Sequence, residues 1–207
     1  MNLAALAARH AASVRSHVAA ARLIRRSAEV DLSSARTMAD RLRLVRELGD
    51  VPGFFPTPDA LGERLVRMAG IEPGMRVLEP SAGTGNLVGW VLGYGAHCTA
   101  VEVNPRLCAA ISARFPISVP VICADFMQWE GGPFDAVVMN PPFERRQDEA
   151  HLRRAISILR PGGRLACIVS RTTGDRLRGE FNVENLPDDS FAKSENPTHV
   201  RTCFVTN

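Results

Sequence analysis

Two consecutive prolines at the end of an apolar run make the most unusual chemical signature in the chain. Asn140-Pro141-Pro142-Phe143 follows directly on FDAVVM (134–139). Proline fixes φ and has no backbone N–H, so the carbonyls of Asn140 and Pro141 are left free as acceptors. The Asn140 side chain adds another. Such an array suits the two hydrogens of a planar amine, with the Phe143 ring available to stack on the ring that bears it. An isolated Asn-Pro-Pro is otherwise a plain strand stop.

Three further positions carry matching chemistry. Val77-Leu78-Glu79-Pro80-Ser81-Ala82-Gly83-Thr84-Gly85-Asn86-Leu87 places a glycine-rich turn between a strand and a helix. Gly83 and Gly85 let backbone approach a ligand closely. The dinucleotide fingerprint requires a third Gly where Val88 stands, which argues against NAD. Glu102 follows Gly85 by 17 residues, about where an acidic side chain reaches ribose hydroxyls. Asp125-Phe126 pairs an acceptor for an adenine amine with a ring to cover the base; the same pair also reads as a turn cap beside a core aromatic. Glycine turn, acid and Asp-Phe, in chain order at strand ends, point to an adenosine-bearing ligand.

These residues need a sheet to hold them. Apolar strands are expected at 75–80, 97–104, 119–125, 134–139 and 164–170, with two more at 180–187 and 199–207. Helices are expected at 58–69, 85–93, 105–115 and 149–160, the first capped by Thr57 with Pro58 at its first position. Strand–helix alternation with apolar strands means a parallel α/β sheet covered on both faces, closed by an antiparallel end.

Composition narrows the class. The chain has 207 residues, 45% hydrophobic, with mean hydropathy near zero and no run long enough to span a membrane. Pervasive disorder, a collagen-like repeat and a small disulfide scaffold are excluded. Residues 1–50 hold 9 Arg against 5 acidic residues, whereas the remainder is nearly balanced. Helices are expected at 2–26 and 34–48, before a linker at 50–53. The acid-poor start also fits a transit peptide. Lys193 is the single lysine; so strong an Arg bias suits phosphate recognition and equally suits genome composition. Five scattered cysteines indicate reduced thiols in a cytoplasm and no zinc site.

With these residues in place, the chain resembles the S-adenosylmethionine-dependent amino-methyltransferases, especially N6-adenine DNA methyltransferases of the phage and plasmid type. Phe54-Phe55-Pro56-Thr57-Pro58 resembles the motif that precedes their sheet, LEPSAGTG (78–85) their methionine-binding turn and NPPF (140–143) their catalytic tetrapeptide. Residues 159–165 resemble their turn into the fifth strand. The resemblance implies a class I, Rossmann-like methyltransferase domain at 51–207, mostly parallel with an antiparallel final strand, behind a basic helical extension at 1–50.

It also implies S-adenosyl-L-methionine as cofactor and no metal. Thr57 and the turn at Ser81, Gly83 and Gly85 would hold the methionine end, Glu102 the ribose, and Asp125 and Phe126 the adenine. Phe55, Glu79, Asn86, Asn104 and Asn140 would complete the donor site. Asn140, Pro141, Pro142 and Phe143 would be catalytic. Phe143 and Phe191 would contact the target base, with Phe181 competing for the second place. From the sequence alone, Arg145 and Arg146, and further along Arg153 and Arg154, suit phosphate near the site and equally suit a solvated helix face. DNA is the expected partner. Amines in ribosomal RNA or on protein glutamine remain open as targets, as does a non-catalytic donor-binding protein. Few residues separate NPPF from Gly162, so target reading is expected to fall to the N-terminal 50 residues, a separate recognition subunit or a homo-oligomer.

Overall fold

The computed structural model describes residues 55–192 and 201–207. The expected N-terminal helices, the linker, Phe54 and the boundary between the two proposed regions lie outside the described residues.

Seven strands form one sheet in the order β3-β2-β1-β4-β5-β7-β6. They are β1 (Arg76–Pro80), β2 (His97–Glu102), β3 (Val121–Cys123), β4 (Phe134–Met139), β5 (Leu159–Ser170), β6 (Asn182–Asn185) and β7 (Thr202–Thr206). β1 to β5 run parallel, and β7 lies antiparallel between β5 and β6. Parallel strands need crossovers, and amphipathic helices supply them. The crossover helices are α2 (Asn86–Gly93), α3 (Pro105–Arg114), α4 (Gln147–Ser157) and α5 (Arg171–Leu177), while α1 (Asp59–Met68) precedes β1 and β3 joins β4 without a helix.

Alternate residues of each strand face opposite helical layers. Val77, Ala136, Val138 and Ile168 pack with Leu65, Val66, Leu87, Val88 and Ile111 from α1, α2 and α3. Leu78, Val137, Met139 and Val169 pack with Leu152 and Ala155 of α4 and Leu177 of α5 on the other face. Both faces being covered explains why β4 reads as a nearly unbroken apolar run.

Several expected boundaries shift. β3 covers only Val121–Cys123, because Asp125 turns the chain by accepting from the Met127 N–H at 2.9 Å. Helix α1 starts at Asp59 behind Pro58, and Thr57 is not its cap: its hydroxyl is occupied by Asn140 instead. The helix expected at 149–160 begins at Gln147 and stops at Ser157, since Leu159 already pairs with Phe134 in the sheet. Strand β5 accordingly starts at Leu159, with an irregularity before pairing resumes at Arg164.

Helix α5 was not expected. Ser170 caps it, its hydroxyl accepting from the Thr173 N–H at 3.3 Å, while Gly174 weakens the sequence signal. That glycine is where α5 meets β7: a Cβ there would lie 2.2 Å from Cys203 Sγ and 3.1 Å from Val183 Cγ1. Gly174→Ala is therefore expected to destabilise the domain by about 1–3 kcal/mol, the usual range for overpacking. Urea unfolding followed by circular dichroism measures it.

Candidate functional site

In an open parallel sheet, ligands bind at the carboxyl ends of the strands where the strand order reverses direction. Here that point lies between β1 and β4, since the chain passes from β1 outward to β2 and β3, then returns to β4 on the other side. A cavity of about 510 Å³ opens there. Its walls come from the 55–57 segment, the turn after β1, the ends of β2 and β3, Asn140 and Pro142 after β4, and one face of α4.

The turn after β1 is tightly wound. Ser81, Gly83 and Gly85 all have positive φ, at 63°, 57° and 76°. Glycine adopts this region freely, whereas Ser81 does so under strain. A side chain at Gly85 would also approach the Phe115 ring to 3.0 Å. The turn is pinned from across the sheet: Glu102 accepts from the Gly83 N–H at 2.8 Å and from the Asn104 N–H at 2.9 Å. Burial pushes the Glu102 carboxyl above its usual range, and the N–H groups of Asn104, Gly83 and Val103 pull it partly back. Asn104 also caps α3, its side chain accepting from the Arg106 N–H at 2.9 Å.

Arg114 ties the other side of the turn, donating to the Thr84 carbonyl at 3.1 Å and Asn86 Oδ1 at 3.2 Å. Asn86 Nδ2 in turn donates to the Thr57 carbonyl at 3.0 Å. From the far side, Asn140 Nδ2 donates to the Phe55 carbonyl at 2.9 Å and to Thr57 Oγ1 at 3.1 Å.

Two acceptors remain without a hydrogen-bond partner among the described residues. They are Asn140 Oδ1 and Glu79 Oε2, both buried, and both residues line the cavity. Buried polar atoms are normally paired, so the cavity offers places for the donors of a ligand. Desolvation pushes the Glu79 carboxyl well above its usual range; Glu102 raises it further, while the Val88 backbone and Arg114 lower it.

The charge pattern is equally selective. Glu79, Glu102 and Asp125 line the cavity, and no Lys or Arg does among the described residues. Such walls suit a cationic ligand and disfavour a pyrophosphate. Outside them the sign reverses. Arg145 and Arg146 follow Phe143, are exposed, and sit at φ 50° and 60°. By contrast, Arg153 pairs with Glu180, and Arg154 donates to the Trp129 carbonyl at 2.6 Å. Those two expected phosphate contacts are committed within the protein.

Phe143 is half-buried and stacks on Phe55, with centroids 5.9 Å apart and planes 13° from parallel. Phe126 lines the cavity and also belongs to the core beneath it. Pro141 is buried beside Pro142. Phe191, expected over a target base, is instead 2% exposed and packed in the core with Leu186 and Phe204. It does not reach the cavity, and neither does the competing Phe181, which packs against the opposite cluster. The apolar surroundings of 187–192 pull this aromatic inward.

Sequence reasoning missed His151. It lines the cavity with Gln147, one helical turn earlier on α4; the i, i+4 spacing after NPPF was the available signal. Its Nδ1 lies 3.3 Å from Ser81 Oγ, and its ring tilts against Phe126. Burial pushes His151 below its usual range, with Asp125 and Asp148 pulling it back up. Asp148 is fully buried and accepts from Ser170 N, Ser170 Oγ and Thr173 Oγ1 at 2.8–3.0 Å, clamping α4 to β5 and α5. Val103, 66% exposed at the cavity rim, was also unforeseen.

Comparison with known proteins bears on the fold that carries the cavity. Residues 77–163 match the family model described as a methyltransferase domain. A dimethyladenosine transferase from Plasmodium falciparum superposes with a TM-score of 0.62 at 18% identity, covering 74% of this chain and 62% of that one. The fold is that of the class I methyltransferases. Among curated relatives, Modification methylase CviBIII of Paramecium bursaria Chlorella virus NC1A is 31% identical over 106 residues, 48% of this chain and 28% of the relative. Demethylmenaquinone methyltransferase of Corynebacterium urealyticum is 30% identical over 145 residues, 69% of this chain and 62% of the relative. The chain thus spans less than two thirds of either. Methyltransferases of this fold use S-adenosylmethionine as methyl donor, and two features here fit that group: the acidic lining and the two open buried acceptors.

Glu79 yields a pH test with a definite sign. A carboxyl whose folded pKa is raised contributes stability that is present below its unfolded value, near 4.5, and lost as pH rises through the folded value. Glu79→Gln lacks that loss. Without donor, the variant's Tm should increasingly exceed that of the unsubstituted protein as pH rises from about 4.5 toward 8, as read by thermal melts across that range.

Proposed function

We propose that the protein transfers a methyl group from S-adenosylmethionine to an exocyclic aromatic amine, N6 of adenine in DNA. The observation that carries this reading is the buried Asn140 Oδ1, which lacks a partner among the described residues while its amide nitrogen is held by Phe55 and Thr57. Bound S-adenosylmethionine supplies an electrophilic methyl on a sulfonium.

An aromatic amine is a poor nucleophile because its lone pair is delocalised into the ring. Asn140 Oδ1 and the Pro141 carbonyl accept its two N–H groups, favour a pyramidal nitrogen and turn the lone pair toward the donor side of the cavity. The acceptors bind more strongly as the nitrogen gains positive charge, which favours the transition state over the ground state. The carbon–sulfur bond breaks as the nitrogen–carbon bond forms, leaving a neutral thioether, and the methylated amine releases one proton to water. Holding two reactants in register contributes up to about 7–11 kcal/mol in well-arranged cases. Phe143 stacks on the target ring. Within the donor site, Glu102 accepts from the ribose hydroxyls, Asp125 and Phe126 hold the adenine, and Thr57, Ser81 and Gly83 face the methionine end.

Outside the cavity, Arg145 and Arg146 meet the phosphates of the strand from which the base is extruded, a step costing a few kcal/mol. The resemblance to N6-adenine DNA methyltransferases in NPPF supports DNA, and an amine in ribosomal RNA is the second reading.

With donor tritiated in the methyl group, label should enter unmethylated duplex DNA and be recovered as N6-methyladenine. Label confined to RNA would select the second reading, and label confined to protein would reject both. Asn140→Ala should reduce transfer by about a hundredfold or more, the scale for loss of one preorganised polar contact, while calorimetry shows donor affinity largely kept. Replacing Arg145 and Arg146 together by Gln should reduce the slope of log K against log salt for duplex DNA by about 2, near 0.9 per phosphate contact. Filter binding between low and moderate salt reads that slope.

A further inference from the structure

A carboxamide has two ends of similar size and opposite hydrogen-bonding sense. A half-turn of the Asn140 side chain would present NH2 to the cavity, where it would compete with an amine rather than receive it. Which end faces inward follows from the network. The Phe55 carbonyl can only accept, so the Asn140 atom 2.9 Å away is the nitrogen. The Thr57 hydroxyl accepts the second amide proton at 3.1 Å, and Thr57 itself is 5% exposed.

The carbonyl of the same residue is held from the opposite side. Asn86 Nδ2 donates to it at 3.0 Å, and Asn86 Oδ1 receives Arg114, which also grips the Thr84 carbonyl. Residue 57 therefore joins the glycine-rich turn to the NPPF turn. Neither turn hydrogen-bonds directly to the other through Asn140 among the described residues; the 55–57 segment intervenes.

We infer that Thr57 is the positioning residue for the amine site: with the Phe55 carbonyl, its hydroxyl locks the Asn140 carboxamide so that Oδ1 faces the substrate. This rests on the reading that Asn140 receives the target amine. A β-branched residue suits the task, because Thr57 has few rotamers and holds its oxygen at one place. Valine keeps that shape and removes the acceptor, while serine keeps the acceptor.

Two measurements on Thr57→Val and Thr57→Ser test the inference. The first requires no turnover: ¹⁵N-asparagine labelling, with the Asn140 side-chain amide identified by its loss in Asn140→Asp, gives its hydrogen-exchange rate. Protection should be about tenfold or more above that in Thr57→Val, the scale of one lost buried hydrogen bond, and should persist in Thr57→Ser. Unchanged protection in Thr57→Val overturns the inference. The second is the rate at saturating donor and DNA. It should fall about tenfold or more in Thr57→Val and recover in Thr57→Ser. A variant that loses donor affinity yet regains the full rate at saturation makes Thr57 a donor contact only and also overturns the inference. Thermal melts verify that both variants fold. Absence of any transfer by the unsubstituted protein would defeat the proposed function, and the exchange measurement would still decide the placement of the amide.

Discussion

A buried carboxylate bridging two backbone N–H groups holds the working edge of the sheet together. Glu102, at the end of β2, receives Gly83 from the turn after β1 and Asn104 from the start of α3. That bridge acts with the Arg114 contact to the Thr84 carbonyl to hold a strained turn that has three residues at positive φ in five positions. Burial of the Glu102 carboxyl raises its pKa, and the N–H groups it receives pull the value partly back. Ligand hydroxyls on its remaining lone pairs would offset part of the cost of that burial, so the turn's conformation and the site's affinity have one origin.

Much of this was legible from residue order. The strands at 76–80 and 134–139 and the helices that follow Gly85 and Asn104 declared themselves because both faces of the sheet are buried, which turns a strand into a short apolar block bounded by turn residues. Asn140, Glu102 and the glycine turn were found because each sits at a strand end. What escaped notice depends on tertiary partners. Thr57 reads as a helix cap, yet its hydroxyl meets Asn140, 83 residues away. Phe191 is expected over a target base, yet it packs with Leu186 and Phe204 in the core. His151 has no local signal except its spacing from Gln147.

Charge is sorted by depth. Carboxyl groups line the cavity and two arginines stand outside it on strained backbone. The inner walls favour a compact cation, and the outer pair favours a polyanion. The division explains why a glycine-rich turn that superficially resembles a dinucleotide cradle lacks the chemistry for pyrophosphate.

The Asp148 clamp bears on the loop that carries those arginines. A loop with two successive left-handed residues could relax if the helix after it slid or rotated by a fraction of a turn. Three hydrogen bonds from Ser170 and Thr173 to one enclosed carboxylate deny α4 that freedom. The helix acts as a fixed abutment for the loop that precedes it.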